Sequence, residues 1–383
     1  MKELLLDILC CALWGKAYDG SFTERQLKDI LRLAEEQTVF GLVFEAIQQV
    51  EIKGVAGKWS EDISEIQLAI FDAVGLKEQI KQQNVIVNKE LADFARICRM
   101  NGQEPIVVKG QTIGSLYPNA LLRQSGDIDF LVHGEGFTVH DYAEALGVVI
   151  PKMSEHEVGF DRNDVRYELH TRLRGWAKKR HQRIWDKLMA QEWALMEDDG
   201  GKKWSDVACY VDIEGERVRT LSPTMNAAYV FIHLFFHFIR EGVSLRQFCD
   251  WAMVLHHYRN DIHRERLRVI LTDLDLMDAY CAFGTILTEN LGLPAEVFPF
   301  AIDDKHRIWH DKILKDIFRG GNFGFLHHQA EGKWKYKMET MTVAIRNSFR
   351  YFRLCPSEVG GMLPRLVKWN VKILLSSQSA VNG

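Results

Sequence analysis

Residues 105–132 read PIVVKGQTIGSLYPNALLRQSGDIDFLV. Two β-rich runs, PIVVK (105–109) and IDFLV (128–132), bracket a glycine turn and a helix-length spacer that stops at Pro118. The second run carries Asp127 and Asp129. Residues i and i+2 of a strand share a face, so the two carboxylates are expected side by side, with Ile128 and Phe130 flanking them. Two carboxylates a few ångströms apart repel each other and are costly without a cation. A divalent ion that prefers oxygen ligands, Mg²⁺ or Mn²⁺, resolves the conflict. The bland alternative makes Ser125-Gly126-Asp127 an ordinary turn before a strand.

Working outward, His140–Leu146 reads as a short helix ended by Gly147. Residues 157–162 and 164–173 read as a hairpin turning at Asp161-Arg-Asn-Asp164. Within it Arg166, Glu168 and His170 alternate with Val165, Tyr167 and Leu169. If this strand pairs beside IDFLV, Glu168 becomes a third carboxylate at the same place, with His170 on its face. Upstream, Lys109 leads from a strand into the Gly110 turn. Backbone N–H groups at such a turn, beside a lysine, suit phosphate, and Arg123 is a further phosphate contact. The order strand, helix, strand, helix, strands predicts a small α/β sheet.

The rest of the 383 residues reads mainly as helix. We expect an N-terminal helical region at 1–100, an α/β core at 101–220 and a C-terminal helical domain at 221–383. Leu4, Leu5, Ile8, Ala12 and Leu13 fit one face of a packed first helix rather than a signal peptide. Ser21-Phe-Thr-Glu24 has a capping-box pattern. Residues 64–99 have the length of one long helix or a pair. Glu214-Gly215 predicts the turn of a second hairpin within 207–220. Ser222-Pro223 supplies an N-cap and an N1 proline for the apolar helix NAAYVFIHLFFHFI. On that helix His233 and His237 share a face, but HLFFH lacks the glutamate of HExxH. Cleft-lining or core histidines are therefore favoured over a zinc site. Arg246 and Asp250, four apart, form either an i,i+4 ion pair or part of a cleft. GGNFG at 320–324 reads as a helix end and turn.

Hydrophobic residues make up 47% of the chain, so a full core is expected and disorder is not. The net charge of −4 gives no general pull toward membranes or extended nucleic acid. Seven cysteines without a CxxC pair read as reduced thiols of a cytoplasmic protein. No apolar run is long enough to cross a bilayer.

The combination of strand, glycine turn, helix, DxD strand and third acid resembles the polymerase-β-type nucleotidyltransferase superfamily. More narrowly, KGQTIGSLYPNALLRQSGDIDFLV, then YELHTRL, LSPTMNAAYVFIHLFFHF and GVSLRQFCDWAMVL, is similar to a group of bacterial proteins termed uncharacterised nucleotidyltransferases. The resemblance covers about 105–255. It implies an α/β (α+β) fold, with a small mixed nucleotidyltransferase sheet and extensive helical additions at both ends. It implies two divalent ions held by Asp127, Asp129 and Glu168, and a bound nucleoside triphosphate, with ATP the expected one. Lys109, Gly110, Gln111, Arg123, Ser125 and Gly126 would contact the nucleotide, and His170, His233, His237, Arg246 and Asp250 would line the cleft. An acceptor hydroxyl on a small molecule, a tRNA or a protein would attack the α-phosphorus and release pyrophosphate. The superfamily places Gly-Ser or Gly-Gly after its first strand. Here both Lys109-Gly110 and Gly114-Ser115 compete for that role, and the strand running directly into Lys109-Gly110 favours the former. Two rivals stand beside this reading: a catalytically inactive nucleotide-binding module, and an interaction protein that works through its helices.

Overall fold

The computed structural model describes residues 1–48, 51–52, 65–132, 139–148, 157–170, 172–195, 207–321 and 333–361. The N-terminal part comprises α1 (Lys2–Leu13), a two-residue strand β1 (Ser21–Phe22), α2 (Glu24–Glu36), α3 (Phe40–Ile47), a two-residue strand β2 (Glu51–Ile52) and α4 (Glu65–Met100). Leu5, Ile8 and Leu13 of α1 are fully buried, as their spacing requires. The cap of α2 differs from expectation. Ser21 lies in β1, and Thr23 with Gln26 forms the capping box. Helix α4 is one unbroken element of 36 residues.

The central part runs β3 (Ile106–Val108), α5 (Gly110–Gly114), β4 (Ile128–Leu131), α6 (Val139–Leu146), β5 (Glu157–Arg162), β6 (Val165–His170), α7 (Lys179–Trp193), β7 (Cys209–Ile213) and β8 (Glu216–Thr220). Both expected hairpins form, with turns at Asn163-Asp164 and Glu214-Gly215. Four strands make a mixed sheet in the order β3-β4-β6-β5. Only the β4–β6 pair is parallel, and it sets Asp129 opposite Glu168 and Leu131 opposite His170.

Alternation gives the sheet two faces of opposite character. Val107, Ile128, Phe130, Tyr167 and Leu169 pack with Val87, Leu91, Phe94 and Cys98 of α4 and with Tyr142 and Leu146 of α6. Phe94 and Phe130 meet at 4.4 Å between ring centroids, and Phe160 stacks on Tyr167 at 5.0 Å. Burying each such ring stabilises the fold by roughly 1.5–3 kcal/mol. Asp129, Glu168 and His170 occupy the other register positions and therefore the other face.

That other face looks toward the C-terminal helices: α8 (Pro223–Arg240), α9 (Leu245–His257), α10 (Arg264–Asp273), α11 (Met277–Glu289), α12 (Asp304–Arg307), α13 (His310–Gly320) and α14 (Lys333–Tyr351). Helix α8 is apolar almost all round, as befits a helix at the centre of a core. Pro223 sits in its first turn, but Ser222 makes no side-chain cap. Its hydroxyl instead donates to Glu192 Oε1 at 2.8 Å. The N-terminal helices hold α9 in place. Leu245 N donates to Gln37 Oε1 at 3.1 Å, and Thr38 Oγ1 lies 2.6 Å from Ser244 Oγ. One hydrophobic cluster runs from Leu5 of α1 through Phe231 of α8 to Val359. Among the described residues no helix is long and apolar enough to cross a membrane.

Candidate active site

The first wall begins where β3 ends. Lys109 has φ 59° and ψ −149°, a backbone conformation almost reserved for glycine. Holding a lysine there costs on the order of 1–3 kcal/mol. The Lys109 ammonium lies 2.8 Å from Asp129 Oδ2, an ion pair that helps to fix it. Gly110 follows at φ +50°, and a Cβ there would lie 3.3 Å from the Asp127 carbonyl oxygen. Any larger residue would therefore be strained and would crowd the acidic strand. Burial by itself would depress the Lys109 ammonium, but the Asp129 carboxylate overrides it and holds the lysine above its ordinary pKa.

Parallel register then brings three side chains together. Ligand atoms of Asp129, Glu168 and His170 all lie within 4.8 Å of one another. His170 Nε2 donates to Asp129 Oδ1 at 2.8 Å and lies 3.9 Å from Glu168 Oε2. Burial would raise the Asp129 pKa, but Lys109 and His170 outweigh it and keep the carboxyl below its ordinary value. Asp127 stands one residue before β4 and outside this close trio. Its charge still bears on Lys109, Arg123, Tyr229 and Arg246, which places it at the same cleft.

Two carboxylates and an imidazole at this spacing fit one coordination shell, whose ligand atoms stand up to about 4–5 Å apart around ions bound at 2.0–2.6 Å. A carboxylate-rich set of this kind suits Mg²⁺ or Mn²⁺. Lys109 already contacts Oδ2 of Asp129, so a cation at that oxygen stands next to the ammonium and competes with its charge.

Helix α8 forms the opposing wall. From Pro223 to Ile239 every residue is buried except His233 and His237. Their rings lie 4.4 Å apart, and His237 Nδ1 is 3.6 Å from Glu241 Oε2. Burial, with the Lys109 charge, holds His233 well below its ordinary pKa, and burial does the same to His237. Tyr229, one turn earlier, is pushed up to about 12 by burial, and its hydroxyl senses Lys109, Asp129, Arg174 and Asp127.

Several expected nucleotide contacts are engaged elsewhere. Arg123 is buried and bidentate on Asp250, Nε to Oδ1 at 2.7 Å and NH2 to Oδ2 at 2.8 Å. Tyr117 donates to the same Oδ1 at 2.7 Å. Asp250 therefore pairs with Arg123 rather than with Arg246, whose NH1 donates to the Gln124 carbonyl at 3.0 Å. Gln111 is also buried. Its amide donates to Asn84 Oδ1 at 3.2 Å and to Asn88 Oδ1, which ties the turn to α4. Gly114 is buried and Ser115 donates to the Thr112 carbonyl at 3.0 Å, so that pair faces inward. Ser125 is half-buried and Gly126 exposed, in the loop before Asp127. Sequence reading missed Tyr229 and Arg174. Tyr229 is hidden in an apolar helix. Arg174 follows the polar strand within TRLRGW, and an arginine beside a buried tryptophan was the available signal.

A family model described as uncharacterised nucleotidyltransferase matches residues 23–292. Among solved structures, an antigenic nucleotidyltransferase-like protein from Paracoccidioides brasiliensis overlaps 56% of this chain and 93% of its own. The TM-score is 0.30 at 11% identity, too low for residue correspondences. No curated protein matches.

Proposed function

The chain belongs to this family of uncharacterised nucleotidyltransferases, and on that footing we propose that it moves a nucleotidyl group from a nucleoside triphosphate, ATP foremost, to an acceptor hydroxyl. The acceptor oxygen bonds to the α-phosphorus, the bond to the β-phosphate bridge breaks, and pyrophosphate leaves. The observation that carries this reading is the convergence of Asp129, Glu168 and His170 on the one polar face of the sheet, opposite α8. Asp129 and Glu168, with His170 and the nearby Asp127, would hold a divalent cation. Such an ion, when bound, neutralises the charge that develops on the entering and leaving oxygens.

The chain's own groups have separable tasks. The Lys109-Gly110 turn and the ammonium of Lys109 bind the phosphates, and the inward-facing Gly114-Ser115 does not. Glu168 is more exposed than Asp129, 26% against 3% of its side chain, and accepts the proton of the hydroxyl. Asp129, pinned by Lys109 and His170, keeps its charge and orients the cluster. Neutral His233 and His237 line the far wall without repelling a cation.

Calorimetry with each nucleoside triphosphate, with and without Mg²⁺ or Mn²⁺, tests this, together with a pyrophosphate-release assay. Binding should depend on the cation, and Asp129→Asn should lose it along with turnover. The inactive-module reading draws on one feature: Asp129 is satisfied by Lys109 and His170 alone. If wild type and Asp129→Asn bind nucleotide equally without a cation, that reading takes over.

A further inference from the structure

Arg174 is half-buried, with its guanidinium drawn against the aromatic side of α8. Among the described residues no carboxylate lies within ion-pairing distance of it, and its buried Nε has no hydrogen-bond partner. Its guanidinium carbon lies over Phe236, 3.2 Å from the ring centroid, and 5.3 Å from that of Trp176. Glu358 is the nearest acid to influence it, but that carboxylate is committed. It accepts from Ala177 N at 2.7 Å and Lys178 N at 3.2 Å, and it pairs with His181 Nδ1 at 2.7 Å. Arg240 adds a second positive charge nearby. Burial pushes Arg174 down to about 9, so it is still charged at neutral pH, although less comfortably than any exposed arginine.

Position adds direction. Phe236 follows His233 by one turn of α8, and Tyr229 and His233 feel both Arg174 and Lys109, so Arg174 borders the same cleft along α8. Phe236 under the guanidinium and Trp176, nearly perpendicular to that ring at 87°, bracket the group and leave N–H donors for a ligand. A half-buried cation with a buried, unpaired Nε gains from an anion that completes it. A planar fork with several N–H donors is matched by phosphate oxygens. We propose that Arg174 is a binding residue for the pyrophosphoryl end of the triphosphate, the half that departs, while the α-phosphorus stays by Asp129 and Glu168. This rests on the nucleotidyltransferase reading above and adds to it a ligand for the leaving group on the far wall.

The test uses the full chain, calorimetry with ATP, AMP and inorganic tripolyphosphate in Mg²⁺, and thermal unfolding without ligand. Arg174→Met should weaken ATP and tripolyphosphate by about a hundredfold and leave AMP unchanged. Arg174→Lys keeps the charge but loses the fork and should weaken both by about tenfold. The ligand-free Arg174→Met protein should melt no lower than wild type, because an uncompensated charge has gone. If wild type binds ATP and the variants bind it and tripolyphosphate equally well, Arg174 is not a phosphate ligand, though the enzymatic reading stands. If AMP weakens as much as ATP, or if melting falls while affinity holds, the arginine is structural and the proposal fails. Should Arg174→Met not fold, Arg174→Lys decides alone, and unchanged tripolyphosphate affinity overturns it. If wild type binds neither ATP nor tripolyphosphate, the nucleotidyltransferase reading falls and takes this inference with it.

Discussion

Arg123 is buried and Arg174 half-buried, and their charges end in opposite circumstances. Arg123 makes two short charged bonds to Asp250, which Tyr117 also caps. Every part of that arrangement comes from the chain, and it locks the loop before β4 onto α9. Arg174 rests on aromatic rings, and among the described residues no carboxylate forms an ion pair with it. The contrast separates scaffold from site: a buried charge with its partner built in holds the fold, and one without a built-in partner is poised for a ligand.

The sharpest way to break that contrast is to make the same substitution in both places. Arg123→Met strands the Asp250 carboxylate in the interior and should lower the unfolding free energy by about 3–5 kcal/mol. Adding Asp250→Leu should return most of it, since replacing both partners removes the orphaned charge. Urea denaturation measures both. Equal losses from Arg123→Met and Arg174→Met would mean the two sites do not differ.

Lys109 stands between these extremes, since its partner Asp129 is itself part of the cleft. Lys109→Met leaves Asp129 with His170 and should cost about 1–3 kcal/mol. Mn²⁺ added alone should then raise the melting temperature of this variant more than that of wild type, because the ammonium no longer competes for Oδ2. An equal rise in both proteins would show that Lys109 and the cation do not share that oxygen.

Gly110 gives a smaller, local effect. With φ at +50° and the Asp127 carbonyl 3.3 Å from where a Cβ would stand, Gly110→Ala should cost about 1–2 kcal/mol. The same change at Gly126, where a Cβ meets nothing within 4 Å, should leave stability nearly unchanged. Chemical denaturation of the two variants compares them directly.

The fold was legible wherever one physical rule acted alone. Alternation in VRYELH predicted the polar face, and the parallel register sets Asp129 opposite Glu168 on it, while Asp127 of the expected i, i+2 pair stands before the strand. Turn chemistry placed both hairpins, and apolar content marked α8. What alternation does not contain is which polar groups find each other across the fold. Arg123 and Asp250 are 127 positions apart, and Gln111 reaches back to Asn84 and Asn88 on a helix that precedes the sheet. Those pairings were read as nucleotide contacts because a polar residue beside a motif looks alike whether its partner is a ligand or a distant side chain. Arg174 erred the other way. Its aromatic surroundings resemble core in sequence, and only the packed structure reveals that among the described residues the charge has no ion-pair partner.

The last comparison turns on pH and is the smallest. His233 sits half-buried between the two cationic sides of the cleft, held below its ordinary 6.5 by burial first and then by Lys109, His237, Arg174 and His170. His237 is lowered too, by burial, against the pull of Glu241. In the unfolded chain both take up protons as pH falls through about 6.5, while the native protein resists. The unfolded state then binds more protons, so stability is complete above that pH and declines on acidification below it, by at most about 1.4 kcal/mol per pH unit for each histidine. His233→Gln should flatten the fall in melting temperature between pH 7 and 5. Arg174→Met should flatten it as well, since it removes one of the charges that keep His233 neutral, whereas Arg123 is not among those charges and Arg123→Met should leave the slope as it is. If the two arginine variants change the slope alike, Arg174 does not act on His233 beside it on α8, and the distinction drawn between the two guanidiniums loses its spatial basis.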